Sequence, residues 1–161
     1  MTTNKITKEI KELEFDLLKQ KLMCSEEGEG WSAAFTDTVE REYRRFLALT
    51  RAYPDKAIVP SGPVDTFWHN HILDTQKYGP DCEKVFGFFL HHFPYFGMRS
   101  AEDERNLADS WDSTVELYRQ HFGEPPAGLW ERGSRCPKCG RIAPYAMPRL
   151  SAAAVMPAAS S

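Results

Sequence analysis

The sequence predicts an all-α fold, a small bundle of about four to five helices, followed by a short Cys-Pro-x-Cys-Gly knuckle and a disordered tail. Two observations favour this fold. Apolar side chains recur at three- and four-residue steps along most of the chain, which is the spacing of one helix face. Glycine and proline separate these periodic segments, and no segment shows the alternation of a strand. The 161 residues suffice for one domain with its own core.

The first two helices are predicted on either side of a glycine-containing break. Residues 5–23 form one amphipathic pattern, and the Glu-Glu-Gly-Glu-Gly stretch at 26–30 ends it because glycine is costly inside a helix. The second helix is predicted from about Ser32 to Ala52. Pro54 ends this helix, since the residue before a proline is pushed out of the helical region.

The next two helices are predicted around a Tyr-Gly-Pro break. A third helix should run from Pro63 to about Gln76, because proline is favoured as the first helical residue, with Ser61 or Gly62 as its cap. Residues 78–80 then predict a break, since proline inside a helix removes a hydrogen bond. A short fourth helix should follow from Asp81 to about Leu90.

The last helix is predicted after an aromatic loop at residues 91–97. Ser100 resembles an N-terminal cap, and Asp103 stands three residues later, as in a capping box. From there the apolar period continues to about Phe122. Residues 123–133, which contain two adjacent prolines, then predict a linker or an extended segment over the surface.

A cluster of metal-ligand residue types lies in the middle of the chain. Four of the five histidines fall between positions 69 and 92. Imidazole, carboxylate and thiolate groups are the usual ligands of zinc and of non-haem iron. The segment is therefore the candidate site, and its residues are Asp65, Trp68, His69, His71, Asp74, Tyr78, Cys82, His91 and His92.

Helix geometry divides this motif into two alternative ligand sets. His69 and His71 are two residues apart, so at about 3.6 residues per turn their side chains point about 200° apart. They cannot both bind one ion from a regular helix. One set pairs His71 with Asp74, the other pairs Asp65 with His69, and each is completed by His91 or His92.

We favour the first set, because the helix face of His71 also carries Phe67 and Trp68 and should be the buried one. The predicted ligands of a zinc or iron ion at the motif are then His71, Asp74 and His91. Tyr78 or His69 would be the candidate proton donor of an enzyme. The competing interpretation is a buried histidine network without any metal, whose ring nitrogens are satisfied by carbonyl and carboxylate groups.

The same segment resembles a family signature. The order Asp65-x-x-Trp-His69-x-His71-Ile-x-Asp74, followed by Cys82 and by His91-x-x-Pro, is similar to the glycine-rich domain-containing protein-like family. The resemblance covers about residues 30–122 and implies a helical domain found in plant glycine-rich domain proteins and in smaller microbial and fungal proteins. It implies no particular reaction. With only 10 glycines, this chain has no glycine-rich tail.

A cysteine pair follows the helical region. Cys136 and Cys139 stand in a Cys-Pro-Lys-Cys-Gly sequence, in which a tight turn directs two thiolates at one zinc ion. A structural zinc site needs four ligands, so Cys24, Cys82, His121 or a second subunit would complete it, and a shared zinc would make a homodimer. An unligated surface turn or a redox pair are the alternatives. The predicted divisions are a helical domain at 1–128, half of a zinc knuckle at 129–142 and a disordered Ala/Pro/Ser tail at 143–161.

Composition narrows the class of function. The formal net charge of −3 argues against nucleic-acid binding and against anionic membranes, and no apolar signal peptide begins the chain, so we expect a soluble cytoplasmic protein. The first hypothesis is a protein-interaction or scaffold module with a structural histidine network. The alternative is a metal-binding protein, or a metalloenzyme, using His71, Asp74 and His91 or His92. A third hypothesis is an accessory protein whose Ala/Pro tail is recognised by a protein partner.

Overall fold

The computed structural model describes residues 6–132, and all the regular secondary structure in this part of the chain is helical. The all-α prediction is confirmed, although the described residues contain six helices rather than four to five. None of these helices combines the length and the apolarity that crossing a bilayer requires. The helices are α1 (Lys8–Lys11), α2 (Asp16–Met23), α3 (Ala33–Ala52), α4 (Gly62–Leu73), α5 (Thr75–Phe86) and α6 (Ala101–Phe122).

The single helix predicted over residues 5–23 is wrong, because the chain leaves the helical path between α1 and α2. Leu13 and Phe15, two residues apart, are both buried, and a regular helix would point them to opposite sides. The break exposes backbone carbonyls that need partners. The guanidinium group of Arg44 donates to the carbonyls of Ile10, Lys11 and Leu13, so α3 holds the broken segment in place.

Helix α3 is the central element of the fold and contacts α1, α2, α4 and α6. Its predicted start is confirmed, since the Ser32 hydroxyl accepts a hydrogen bond from the Phe35 amide at 3.1 Å. Tyr43 and Phe46 project from α3 into the aromatic core, where their rings pack at a tilt against those of Phe67 and Trp68 of α4.

The break predicted at residues 78–80 is wrong, because α5 runs through Pro80. The earlier helix ends instead at Asp74, whose backbone leaves the helical region before α5 begins. Pro80 lies on the exposed side of α5, while Tyr78 and Cys82 on the other side are buried. Burial of the Tyr78 and Cys82 side chains on that face offsets the one backbone hydrogen bond that Pro80 cannot donate. Gly87, at φ 75°, ends α5 in the left-handed conformation that glycine adopts most easily.

The cap predicted at Ser100 is confirmed, because its hydroxyl accepts from the Asp103 amide at 3.1 Å. The Asp103 side chain differs from that of a capping box. Its carboxylate reaches past Ser100 and accepts from the backbone amides of Gly97 and Arg99, at 2.6 and 3.2 Å. The hydrogen bond from the Arg99 side chain, with these amides, holds the pKa of Asp103 at about 2. Asp103 thus fastens the aromatic loop to α6.

A buried carboxylate joins the two long helices to the segment after α6. Glu42 of α3 is fully buried and accepts from the Tyr118 hydroxyl at 2.6 Å and from the Trp130 indole at 2.9 Å. Arg45 lies 3.0 Å from the same carboxylate. Leu129 is buried as well, so the chain after α6 packs over the helices through Trp130.

Glu42→Ala should lower the free energy of unfolding by about 3–5 kcal/mol, because removing one partner leaves buried polar and charged groups uncompensated. Urea unfolding followed by circular dichroism measures the change. Glu116→Ala is the matched control, because Glu116 lies on the exposed side of α6, and its cost should stay within about 0.5 kcal/mol. Equal costs for the two variants would contradict the role of Glu42.

The lowered pKa of Asp103 makes stability dependent on acid pH. A carboxyl group that titrates at about 2 in the folded protein and at about 3.9 in the unfolded chain stabilises the fold above pH 4. This contribution is lost as the pH falls from about 4 to about 2. The difference in unfolding free energy between the wild type and Asp103→Asn should therefore be large at pH 6 and small at pH 2. A pH-independent difference would count against the hydrogen bonds to the carboxylate.

Candidate functional site

Asp65, His69 and His92 bring three metal-ligand groups to one point. Nε2 of His69 lies 3.0 Å from Oδ2 of Asp65, and Nε2 of His92 lies 3.1 Å from Oδ1 of the same carboxylate. The two imidazole nitrogens are 3.0 Å apart. These residues form the one group with metal-ligand geometry among residues 6–132. We call them the Asp-His-His cluster.

Two elements position the cluster. Asp65 and His69 are four residues apart on α4, so they lie one above the other on the same face of the helix. His92 comes from the loop between α5 and α6 and crosses over this face. Its ring packs against that of Trp68 with the centroids 4.6 Å apart, so the core side of α4 supports it.

The cluster is sheltered on one side and open on the other. The side chains of Asp65 and His92 are 8% and 13% exposed, whereas that of His69 is 51% exposed. The carboxylate therefore lies at the floor of the cluster, and solvent reaches it past His69. The hydrogen bond with Asp65 raises the pKa of His69 above its usual value.

The three close contacts of the cluster cannot all be favourable hydrogen bonds while the carboxylate is ionised. An ionised carboxylate only accepts, so each imidazole must donate its Nε2 hydrogen to Asp65. The two N–H groups of His69 and His92 then face each other across 3.0 Å. If the Nε2 of either ring is unprotonated instead, its lone pair faces a carboxylate oxygen, and the two acceptors repel each other. A cation held by all three atoms removes this conflict.

The spacing of the two imidazole nitrogens matches that of adjacent ligands around a transition metal ion. Octahedral ligands about 2.1 Å from an ion lie about 3.0 Å apart when they are adjacent, whereas tetrahedral ligands lie about 3.4 Å apart. The 3.0 Å between Nε2 of His69 and Nε2 of His92 agrees with two adjacent octahedral positions, and the Asp65 carboxylate offers one oxygen beside each nitrogen. Two histidines and one carboxylate on one face of an ion form the ligand set of many non-haem iron sites.

The structure does not bring together His71, Asp74 and His91, the ligand set favoured from sequence. His71 is buried, whereas Asp74 lies exposed at the junction of α4 and α5 and His91 lies exposed in the loop. The ring of His91 packs 4.8 Å from that of Phe89. The prediction correctly placed His71 on the buried face of α4. The side chains that come together are instead Asp65 and His69 on the partly exposed face, which belong to the alternative set.

His71 belongs to a buried hydrogen-bond network that occupies both of its ring nitrogens. Its Nε2 lies 2.8 Å from Oδ2 of Asp81, and its Nδ1 lies 2.8 Å from the Tyr43 hydroxyl. Since the carboxylate accepts, Nε2 donates and Nδ1 accepts from Tyr43. Burial raises the pKa of Asp81, but hydrogen bonds from His71 and Lys77 outweigh it and hold that pKa below its usual value. This arrangement is the structural network that the sequence suggested as an alternative.

Neither Tyr43 nor Asp81 was predicted from the sequence as a partner of His71. Tyr43 belongs to the apolar stripe of α3, and nothing in its spacing marks it as a hydrogen-bond donor. The break predicted at residues 78–80 separated Asp81 from Lys77. Once α5 is continuous, Asp81 follows Lys77 by one turn, and the two form an ion pair at 2.9 Å.

The remaining motif residues form a second hydrogen-bond chain beside the cluster. The Trp68 indole donates to the Tyr78 hydroxyl at 2.9 Å, and this hydroxyl donates to the Leu90 carbonyl at 2.5 Å. Cys82 is a buried free thiol whose pKa is raised by burial. Burial also raises the pKa of Tyr78, so its hydroxyl keeps its proton and serves as a donor to Leu90.

The predicted zinc knuckle lies outside the described residues, since Cys136 and Cys139 both follow residue 132. Of the groups suggested to complete it, Cys24 is a half-buried free thiol and Cys82 a buried one. His121 lies 2.5 Å from the Tyr53 hydroxyl.

Comparison with known families decides the relationship of the chain. The model of the UCP032817-like family, an uncharacterised family, matches residues 7–116. The chain belongs to the UCP032817-like family. The resemblance to the glycine-rich domain-containing protein-like family is therefore wrong. That resemblance covers about residues 30–122 and is densest at 60–97, whereas the UCP032817-like match spans α1 to most of α6.

Neither the curated proteins nor the solved structures contain a match to this member of the UCP032817-like family. Its function must therefore be argued from the cluster itself.

His71→Ala should lower the free energy of unfolding by about 3 kcal/mol, because the Tyr43 hydroxyl and the Asp81 carboxylate lose a buried partner. Chemical unfolding with urea measures the loss. His91→Ala is the control, since His91 is exposed in the same motif and its removal should cost no more than about 0.5 kcal/mol. A small loss for His71→Ala would show that the network contributes little to stability.

Proposed function

We propose that this UCP032817-like protein binds a divalent transition metal ion through Asp65, His69 and His92. The observation that supports the proposal is the position of the two imidazole Nε2 atoms, which lie 3.0 Å apart and are each directed at one oxygen of the same carboxylate, at 3.0 and 3.1 Å. The site differs from the ligand set favoured in the sequence analysis, but the ligand types, and zinc or iron as the metal, are the same.

The His71 network supports this assignment by contrast. There, each ring nitrogen meets a group of matching character, a hydroxyl donor on one side and a carboxylate acceptor on the other. The network is complete without an ion. In the Asp-His-His cluster the donors and acceptors cannot be matched in the same way, and a metal ion supplies the missing positive centre.

The open side of the cluster suggests how a bound ion would act. Three protein ligands leave coordination positions free, and the exposure of His69 lets water or a small ligand reach them. A metal ion in such a site acts as a Lewis acid and lowers the pKa of bound water. The proposal thus retains the alternative that the protein is a metalloenzyme.

A protein-interaction role is the second candidate function, and one observation favours it. The loop that carries His92 exposes several large apolar side chains, and a contiguous apolar patch on a protein surface marks an interaction site. A partner bound there would lie beside the metal site, and a cytoplasmic location would suit both roles. The exposed side chains are Phe88, Phe89, Tyr95 and Met98.

The test is metal binding by the untagged protein in a Cys136→Ser, Cys139→Ser background, which removes any zinc held by that pair. Elemental analysis after loading with zinc or anaerobic ferrous ion should find about one ion per chain. His69→Ala and His92→Ala should each lose it. The matched control is His91→Ala, which removes the exposed neighbour of His92 and should keep the ion.

Two results would overturn the proposal. One is that the parent protein, in which His69 and His92 are both present, binds no stoichiometric metal. The other is that folded His91→Ala or His71→Ala protein loses the ion while His92→Ala retains it. The ligands would then be the set favoured from sequence.

A further inference from the structure

We infer that Tyr78 is a positioning residue for the metal site, because its hydroxyl holds the backbone two residues before His92. The inference rests on the proposed function and deepens it. It assigns to the buried Tyr78, which touches none of the three ligands, a measurable share of the metal affinity.

His92 needs such support because it is the ligand that does not come from a helix. Asp65 and His69 are oriented by the backbone of α4, whereas His92 lies in the loop between Gly87 and Ser100. A ligand held only by a loop would move relative to α4. Displacement by even a few tenths of an ångström would matter to a metal site, since metal–ligand bond lengths are tightly limited.

Tyr78 fixes the start of this loop through Leu90. The Tyr78 hydroxyl donates to the Leu90 carbonyl at 2.5 Å, and the Leu90 backbone also forms a hydrogen bond with the Cys82 thiol. Both groups belong to the buried face of α5. Leu90 is therefore held against α5 by its carbonyl and by its amide, and its own side chain is buried.

Trp68 connects this anchor to the helix that carries the other two ligands. Its indole N–H donates to the Tyr78 hydroxyl at 2.9 Å, and its ring packs against that of His92 at 4.6 Å. Trp68 is fully buried and lies on α4 between Asp65 and His69. The three metal ligands are thus linked by one rigid set of contacts, from α4 through Trp68 and Tyr78 to Leu90.

Tyr43 provides a matched control for Tyr78. Both are buried tyrosines whose hydroxyl makes a defined hydrogen bond, and Tyr43 bonds to His71 at 2.8 Å. The Tyr43 hydroxyl bonds to His71 and not to the loop of His92, and His71 meets Tyr78 through a ring contact with the centroids 4.8 Å apart. Tyr→Phe at either position deletes one buried hydroxyl and preserves the ring.

The experiment compares zinc affinity, measured by competition with a chelator, for Tyr78→Phe and Tyr43→Phe in the Cys136→Ser, Cys139→Ser background. Loss of an outer partner of a metal ligand typically weakens metal binding by about 10–100-fold. Tyr78 bonds to the Leu90 carbonyl and not to a ligand itself, so we expect a loss at the lower end of that range, about tenfold, for Tyr78→Phe and a change below about threefold for Tyr43→Phe. Urea unfolding of the metal-free variants shows whether the two lose similar stability.

Equal zinc affinities of Tyr78→Phe and Tyr43→Phe would overturn the inference and leave the proposed function intact. Absence of zinc binding in the parent protein would overturn both. If Tyr78→Phe does not fold, Trp68→Phe decides the question, because it removes the indole donor but keeps an aromatic ring against His92. It should bind zinc more weakly than Tyr43→Phe, and equal affinity would again overturn the inference.

Discussion

The requirement that His71 be buried with both ring nitrogens satisfied determines much of the structure. Tyr43 of α3 and Asp81 of α5 meet this requirement, so three helices converge on one imidazole of α4. The contact also sets the rotation of α4 about its axis. Because side chains two residues apart point to nearly opposite sides of a helix, burying His71 turns His69 toward solvent. The candidate metal site is a consequence of that rotation.

The same rotation joins the site to the aromatic core. Trp68 lies on the buried face of α4. Its ring packs against that of His92, and its indole N–H donates to the Tyr78 hydroxyl. Asp103 holds the other end of the same loop through the amides of Gly97 and Arg99. The loop that carries His92 is therefore anchored at both ends by buried or half-buried hydrogen bonds, although it contains no regular structure of its own.

The places where prediction failed share one cause. Periodicity joined α1 to α2, and the proline at position 80 predicted a break between Tyr78 and Cys82, but burial decided otherwise in both cases. Phe15 leaves the helical path to reach the core, and Pro80 stays within a helix because its ring lies on the exposed side. Local propensity amounts to about 3 kcal/mol even for proline in a helix, and burial of several large side chains exceeds it.

The sequence by itself determined the helical class, the start of α3 and of α6 at their serine caps, and the region that holds the Asp-His-His cluster. It also showed that His69 and His71 cannot serve one ion, since helix geometry is a property of the backbone alone. Only the tertiary structure decided which histidine turns inward and which loop residue meets the other. That choice depends on Tyr43 and Asp81, which are distant from each other in sequence and approach His71 only after the helices pack.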